Sequence, residues 1–337
     1  MSLWLLFVMH SCVYAAEGTS LLLNTTVIYL ALTETNKDLK EYKNLLVLNG
    51  IVDYTCTLIG IFNHDNLEIT HNLWVHILGW PANLFPKEWH YIFVGAYSFK
   101  LSFGIQSLPI QFGYRWYLVC KKKILTAPKL CGIFVAAFIA SCHWWTFFGL
   151  AFWVSDYKYT NHTFLKSNPF IFNNATPNPT LLIGELKCLP MLEIIISTAV
   201  VGNGIICYLI GYFTYKTICK LNELKAEMSE RTRRLQNQMN RLLFTQTVSV
   251  FATALIPLLI MLFMMLTSIE IHGMGTFINM ILSWIPVLNP ICTLIFVHRF
   301  RVRILTVILP CARRRIVSTY GSTLTHFSKD ATPMTIA

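Results

Sequence analysis

A chain of 337 residues in which 55% of the side chains are hydrophobic and only 13% charged reads as a membrane protein, because soluble domains carry about a quarter charged residues. The net charge of +11 does not point to nucleic acid, since the basic residues form short runs between apolar segments rather than one basic soluble face; topology and anionic lipid account for them. Ten scattered cysteines without a CxxC or a Cys/His cluster argue against a disulfide scaffold or metal site, and no phosphate loop or nucleophile motif marks an enzyme or calls for a cofactor.

The first apolar stretch is interrupted by Glu17-Gly18-Thr19-Ser20. A signal peptide cleaved near Ala15 or Ala16 would lack a basic leader region. It would also leave about a dozen apolar residues, short of the ~20 that cross a bilayer. One long helix over 6–32 is expected instead, its first part near the interface and the sequon at Asn24 buried within it. Lys37, Lys40 and Lys43 lead into a second span over 44–62, with Asp53 near its centre. The polar stretch 63–88, with Trp74, Trp80 and the adjoining Trp89, reads as an interfacial loop.

The third span, 89–119, contains Lys100 and Pro109 and closes with Tyr114-Arg115-Trp116-Tyr117. The fourth, 130–154, includes His143-Trp144-Trp145; the long loop after it carries sequons at Asn161 and Asn174. The fifth covers 190–214, with Glu193 near one end. The polar segment 215–241 reads as helical extensions of the fifth and sixth spans, and the sixth, 242–267, is expected to bend at Pro257. In the seventh, 274–297, Pro286 and Pro290 flank Asn289. Each proline frees a carbonyl that lipid cannot satisfy, so neighbouring helices or water must do so, which implies a bundle. A short amphipathic helix over 299–309 follows, with Arg299, Arg301 and Arg303 on its polar side. Cys311, beside Arg313-Arg314-Arg315, is a candidate for palmitoylation, and 311–337 reads as a disordered tail.

With the N-terminus outside, the inner segments hold 21 Lys or Arg against four in the outer loops, as the positive-inside rule requires. That orientation also puts both loop sequons outside. The expected fold is an all-α membrane protein: a seven-transmembrane bundle over 1–310, N-terminus outside and C-terminus cytoplasmic.

Several stretches resemble a known family. Asn24 with Val27-Ile28-Tyr29-Leu30, then Leu39-Lys40-Glu41-Tyr42-Lys43, is similar to the end of helix one and the first inner loop of the nematode serpentine chemoreceptors of the str-type superfamily. Gln238-Met239-Asn240-Arg241-Leu242-Leu243 resembles their entry into helix six, and Trp284-Ile285-Pro286-Val287-Leu288-Asn289-Pro290 their end. Asp53 after Leu48-Asn49 leans toward the delta class. The resemblance implies a G-protein-coupled receptor in the plasma membrane of chemosensory neurons, at their sensory cilia. It would bind a small odorant or pheromone from outside and activate a heterotrimeric G protein inside. The pattern departs from rhodopsin-like receptors at three points. Cys188 lacks a third-helix cysteine to pair with, no acid precedes Arg115, and Thr293 stands where a tyrosine usually follows Asn-Pro.

Ionisable residues within spans usually face the bundle interior. Lys100, roughly 16 Å into the third span at 1.5 Å per residue, is a candidate to bind an anionic ligand or to pair with Glu193. Trp145 is a candidate pocket residue, though packing is the commoner role. The resemblance implies that Asn24, Asp53 and Asn289 meet in a polar network, structural or ion-binding, and Pro257 and Pro290 are candidate hinges. Arg115, with Tyr114 and Trp116, either couples to the G protein or extends to lipid phosphate. A transporter or ligand-gated channel is the alternative; the first predicts internal repeats that are not visible, and the second an inverted topology.

Overall fold

In a bilayer each backbone amide must find its partner within the protein, and the apolar runs of this sequence do so as helices. The computed structural model describes residues 2–33, 37–64, 66–70, 73–156, 165–166, 168–172, 179–185, 201–224, 230–267 and 269–308. The helices are α1 (Ser2–Thr33), α2 (Lys37–Asn63), α3 (Lys87–Lys121), α4 (Ala127–Asp156), α5 (Asn203–Leu224), α6 (Glu230–Val250), α7 (Ile256–Thr267), α8 (Met274–Ser283), α9 (Ile285–Phe296) and α10 (His298–Ile308). A π-helical turn, Phe251–Leu255, joins α6 to α7. Among the described residues these helices overlap the seven predicted spans, α5 over 203–214 of the fifth, α6 with α7 making the sixth and α8 with α9 the seventh.

α1 runs unbroken through Glu17-Gly18-Thr19-Ser20. Its 32 residues bury one stripe, Val13, Glu17, Ser20, Asn24, Val27 and Ala31, spaced by three and four as one helix face requires. Phe7, Tyr14, Leu22 and Tyr29 are exposed on its other sides. Among the described residues, five segments are long and apolar enough to cross a membrane: Trp4–Thr33, Tyr42–Asn63, Ala127–Asp156, Gln236–Met264 and Met274–Phe296. α3 is absent from that set because it is built for protein contact on most of its surface. Its Ser98, Ser102, Ser107, Gln111 and Arg115 are all buried, and it packs against α2, α4 and α5.

The expectation of an all-α chain needs one correction. Three strands, β1 (Asn66–Thr70), β2 (Leu73–Leu78) and β3 (Thr180–Glu185), form an antiparallel sheet in the order β1-β2-β3 at one end of the bundle. Glu68 faces Val75 across the first pair, and His76 faces Leu182 across the second. The segments read as loop alternate Leu67, Ile69 and then Leu73, Val75, Ile77, the period-two pattern of a hairpin. Asp156, the last residue of α4, ties the sheet to the helices. Its carboxylate accepts from Ile183 N at 3.2 Å and Tyr91 Oη at 3.2 Å, and pairs with Lys87 Nζ at 2.7 Å. Glu68 makes a second tie, accepting from Gly273 N at 3.0 Å, Thr276 N at 3.1 Å and Thr276 Oγ1 at 2.6 Å at the start of α8.

At the opposite end α10 turns back against the bundle. Phe300 is buried in the main core while Arg299, Arg301 and Arg303 stay exposed, and Arg303 Nη1 donates to Thr33 Oγ1 at 2.9 Å.

Candidate functional site

α1, α2, α3 and the junction of α8 with α9 enclose a cavity of about 40 Å³, with Glu17, Asp53, Thr57, Gly60, Lys100 and Pro286 on its walls. That is room for water or a small ligand group between polar walls. Glu17 is buried one face-repeat away from Ser20 and Asn24. Lys100 reaches the same point from α3: a Cβ on Gly60 would stand 2.9 Å from Glu17 Oε1 and 3.6 Å from Lys100 Nζ. Because Gly60 has no side chain, both opposite charges can approach the backbone of α2 at this point. Lys100 Nζ also sits 4.6 Å from the centroid of the Tyr97 ring, a cation–π contact. Sequence reasoning took Glu17 for an interruption; its spacing from Ser20 and Asn24 was the signal that could have placed it on the buried face.

The floor of the cavity is a hydrogen-bonded network. Pro290 has no N–H to give to Pro286 O one turn earlier. Asn24 Nδ2 of α1 donates to that carbonyl instead, at 3.0 Å, and Ser20 Oγ approaches it at 3.4 Å. Ser20 Oγ lies 2.6 Å from Thr57 Oγ1, which donates to Asp53 O at 2.8 Å. Asn289 Nδ2 donates to Asp53 Oδ1 at 3.0 Å. On its far side, Gln246 Nε2 of α6 donates to Asn289 O at 3.2 Å and reaches Thr293 Oγ1 at 3.5 Å. Asn24, Asp53 and Asn289 therefore come together, Pro290 lies among them, and Thr293 occupies the latch position with Gln246 as its partner. Asn289 Oδ1 and Gln246 Oε1 are buried without a partner among the described residues, so the network has acceptors left for a second arrangement.

Beside Lys100, off the cavity wall, lies an aromatic contact. The His76 ring on β2 meets Tyr97 edge-on, with centroids 5.1 Å apart, and Tyr97 Oη donates to Asn279 Oδ1 of α8 at 3.2 Å. Tyr97 thus touches the sheet, the seventh span and Lys100 at once.

The remaining predicted residues lie elsewhere. Trp145 is not on the cavity wall: it is wedged against Gly95 between α3 and α4, and its indole Nε1 donates to Ile92 O at 2.9 Å. Arg115, 2% exposed, lies at the far end of α3, where Nη2 donates to Gln236 O at 2.8 Å and to Gln236 Oε1 at 3.2 Å. Its Nε and Nη1 are buried without a partner among the described residues. Tyr114 packs edge-on against Tyr42, and Trp116 against Phe213 of α5. Pro257 is the second residue of α7, directly after the π-helical turn, so the irregularity of the sixth span falls in the turn before the proline. Glu193, Asn161, Asn174 and Cys311 lie outside the described residues.

The fold is shared with known receptors. The crystal structure of squid rhodopsin superposes with a TM-score of 0.60, covering 99% of this chain and 93% of that one at 12% sequence identity, which speaks for the architecture alone. No curated protein matches the sequence. A family model, "Serpentine type 7TM GPCR chemoreceptor Str", matches residues 9–305. Across the cavity, the proline-centred network and both ends of the bundle, the chain belongs to this family of serpentine seven-transmembrane chemoreceptors, which are receptors and not enzymes.

Proposed function

We propose that the chain is a plasma-membrane receptor of chemosensory neurons, carried at their sensory cilia, with its N-terminus outside. It binds a small odorant or pheromone in the cavity over Gly60 and activates a heterotrimeric G protein inside. One observation carries this reading: Asp53, Thr57 and Pro286 belong both to the cavity wall and to the hydrogen-bonded network around Asn289 and Pro290. A ligand that favours one packing of these side chains shifts the population of bundle conformations by its differential affinity. The π-helical turn before Pro257 and the break between α8 and α9 are places where the sixth and seventh spans pivot.

At the inner end, the Arg115–Gln236 contact holds α6 against α3. Two further N–H groups of Arg115 are buried without acceptors among the described residues, a costly arrangement that a G-protein segment entering between α3 and α6 would relieve with its carbonyls. Exposed Arg299, Arg301 and Arg303 favour anionic lipid on the same side. A second-messenger reporter, screened with an odorant panel, tests this reading. The wild type gives a dose-dependent response, and Arg115→Ala at equal surface number retains ligand binding but loses at least nine-tenths of the signal. A full response from Arg115→Ala would remove the coupling role.

A further inference from the structure

A pair of histidines at the sheet end of the bundle is used by none of the features above. His10 of α1 and His64, one residue past α2, are 54 positions apart in sequence, yet His10 Nδ1 and His64 Nε2 face each other at 3.3 Å. Both rings are held in place. The other nitrogen of His10, Nε2, lies 2.6 Å from the side-chain amide of Asn66. Tyr14, one turn along α1 from His10, stacks on His64 with centroids 4.1 Å apart and planes 11° apart. His64 adopts φ +39°, a left-handed conformation uncommon outside glycine. It is fixed there by its N–H bond to Gly60 O at 2.8 Å. Gly79 also lies against it so closely that a Cβ would stand 2.5 Å from His64 O and 2.9 Å from Cδ2.

We propose that His10 and His64 form a two-nitrogen site for a divalent transition-metal ion of the zinc or copper type. Two imidazole nitrogens bound at 2.0–2.1 Å to a tetrahedral ion stand roughly 3.3–3.4 Å apart, the separation found here. A direct hydrogen bond is best nearer ~3.0 Å. Imidazole pairs select zinc and copper over the hard cations, which prefer oxygen.

The protons balance without loss from the pair. In the metal-free pair His10 carries its proton on Nδ1 and shares it with His64 Nε2. With metal bound, the His10 proton moves to Nε2 and the Asn66 amide turns its Oδ1 toward that N–H. Both facing lone pairs are then free for the ion, and both rings stay neutral. For His10, the Asn66 side chain is the outer partner on the second ring nitrogen that metal-binding histidines ordinarily have. Water completes the coordination. The ion would tie α1 to the junction of α2 with the β1–β2 hairpin.

Calorimetric titration of Zn²⁺ into the purified full-length receptor in lipid nanodiscs tests the site. The expected result is one saturable site per receptor, weakened at least tenfold by His10→Gln and by His64→Asn, and unchanged by His143→Gln in α4. Because a His64 variant also disturbs a special backbone position, Cu²⁺ bound to the wild type provides an independent reading. Its electron paramagnetic resonance spectrum should show two coordinated imidazole nitrogens. No saturable zinc binding, zinc binding that survives both histidine variants, or a copper spectrum with fewer than two nitrogens would each overturn the proposal.

Discussion

Asn24 does for the seventh span what the seventh span cannot do for itself. Pro290 leaves Pro286 O without its intrahelical donor, and the amide of Asn24 fills the gap from α1 at 3.0 Å. Asn24→Leu keeps the branched shape but removes the donor, leaving that carbonyl unsatisfied at a cost of about 1–3 kcal/mol. Thermal unfolding of the purified receptor should show the loss, whereas Tyr29→Leu, exposed on the same helix, should leave stability near the wild-type value. Glu68 is a second residue with a distinct signature. Burial pushes its carboxyl pKa above the ordinary 4.5, against the pull of the hydrogen bonds from Thr276 and Gly273. A raised folded-state pKa means that the neutral acid suits the fold better than the carboxylate. The contribution is therefore fully present below pH 4.5 and is lost as pH rises through the raised value. Melting temperature measured against pH should decline across that window in the wild type, and Glu68→Gln should flatten the decline.

Among the elements, the long helices were legible in the sequence and the sheet was not. Apolar length, Asp53 and Lys100 within spans, and the Asn289-Pro290 step mark helices because a bilayer leaves few alternatives. Leu67 to Ile77 carries a strand period, but Glu68 and His76 made it read as polar loop; in the fold both are fully buried, Glu68 by bonding to α8 and His76 by aromatic contact. The site divides the same way. Asn24, Asp53 and Asn289 each stand out as polar residues within apolar spans, and the family resemblance is what brings the three together in the sequence. Glu17 was missed because a charge near a helix's outer part looks like an end, and Trp145 was set too near the cavity because three adjacent residues on α4 point to different faces. The Arg115–Gln236 contact joins α3 to α6. Gln236 donates nothing to Arg115 but supplies both its acceptors, one from the backbone and one from the side chain. Gln236→Ala removes the side-chain acceptor and weakens the hold of α3 on α6, so ligand-free signalling should rise about two- to fivefold, corresponding to roughly 0.5–1 kcal/mol. Unchanged basal signalling in the reporter would mean that the contact does not restrain the sixth span.

For the molecule as a whole, family membership leaves no need for the transporter and channel alternatives, and the bundle reads as one body with a sheet at one end and arginines at the other. The orientation proposed from the loop charges predicts that Asn161→Gln with Asn174→Gln removes glycan and lowers the apparent mass on a gel; unchanged mobility would argue for the opposite placement. The central expectation is that ligand binds in the cavity lined by Glu17, Gly60 and Lys100 and acts on the bundle through Asp53 and Asn289. The most direct test is the dose–response of second-messenger signalling for Lys100→Met beside the wild type, at matched surface number and with an odorant that activates the wild type. The half-maximal concentration should rise at least tenfold, equivalent to about 1.4 kcal/mol of lost binding. A curve superimposable on that of the wild type would contradict the account.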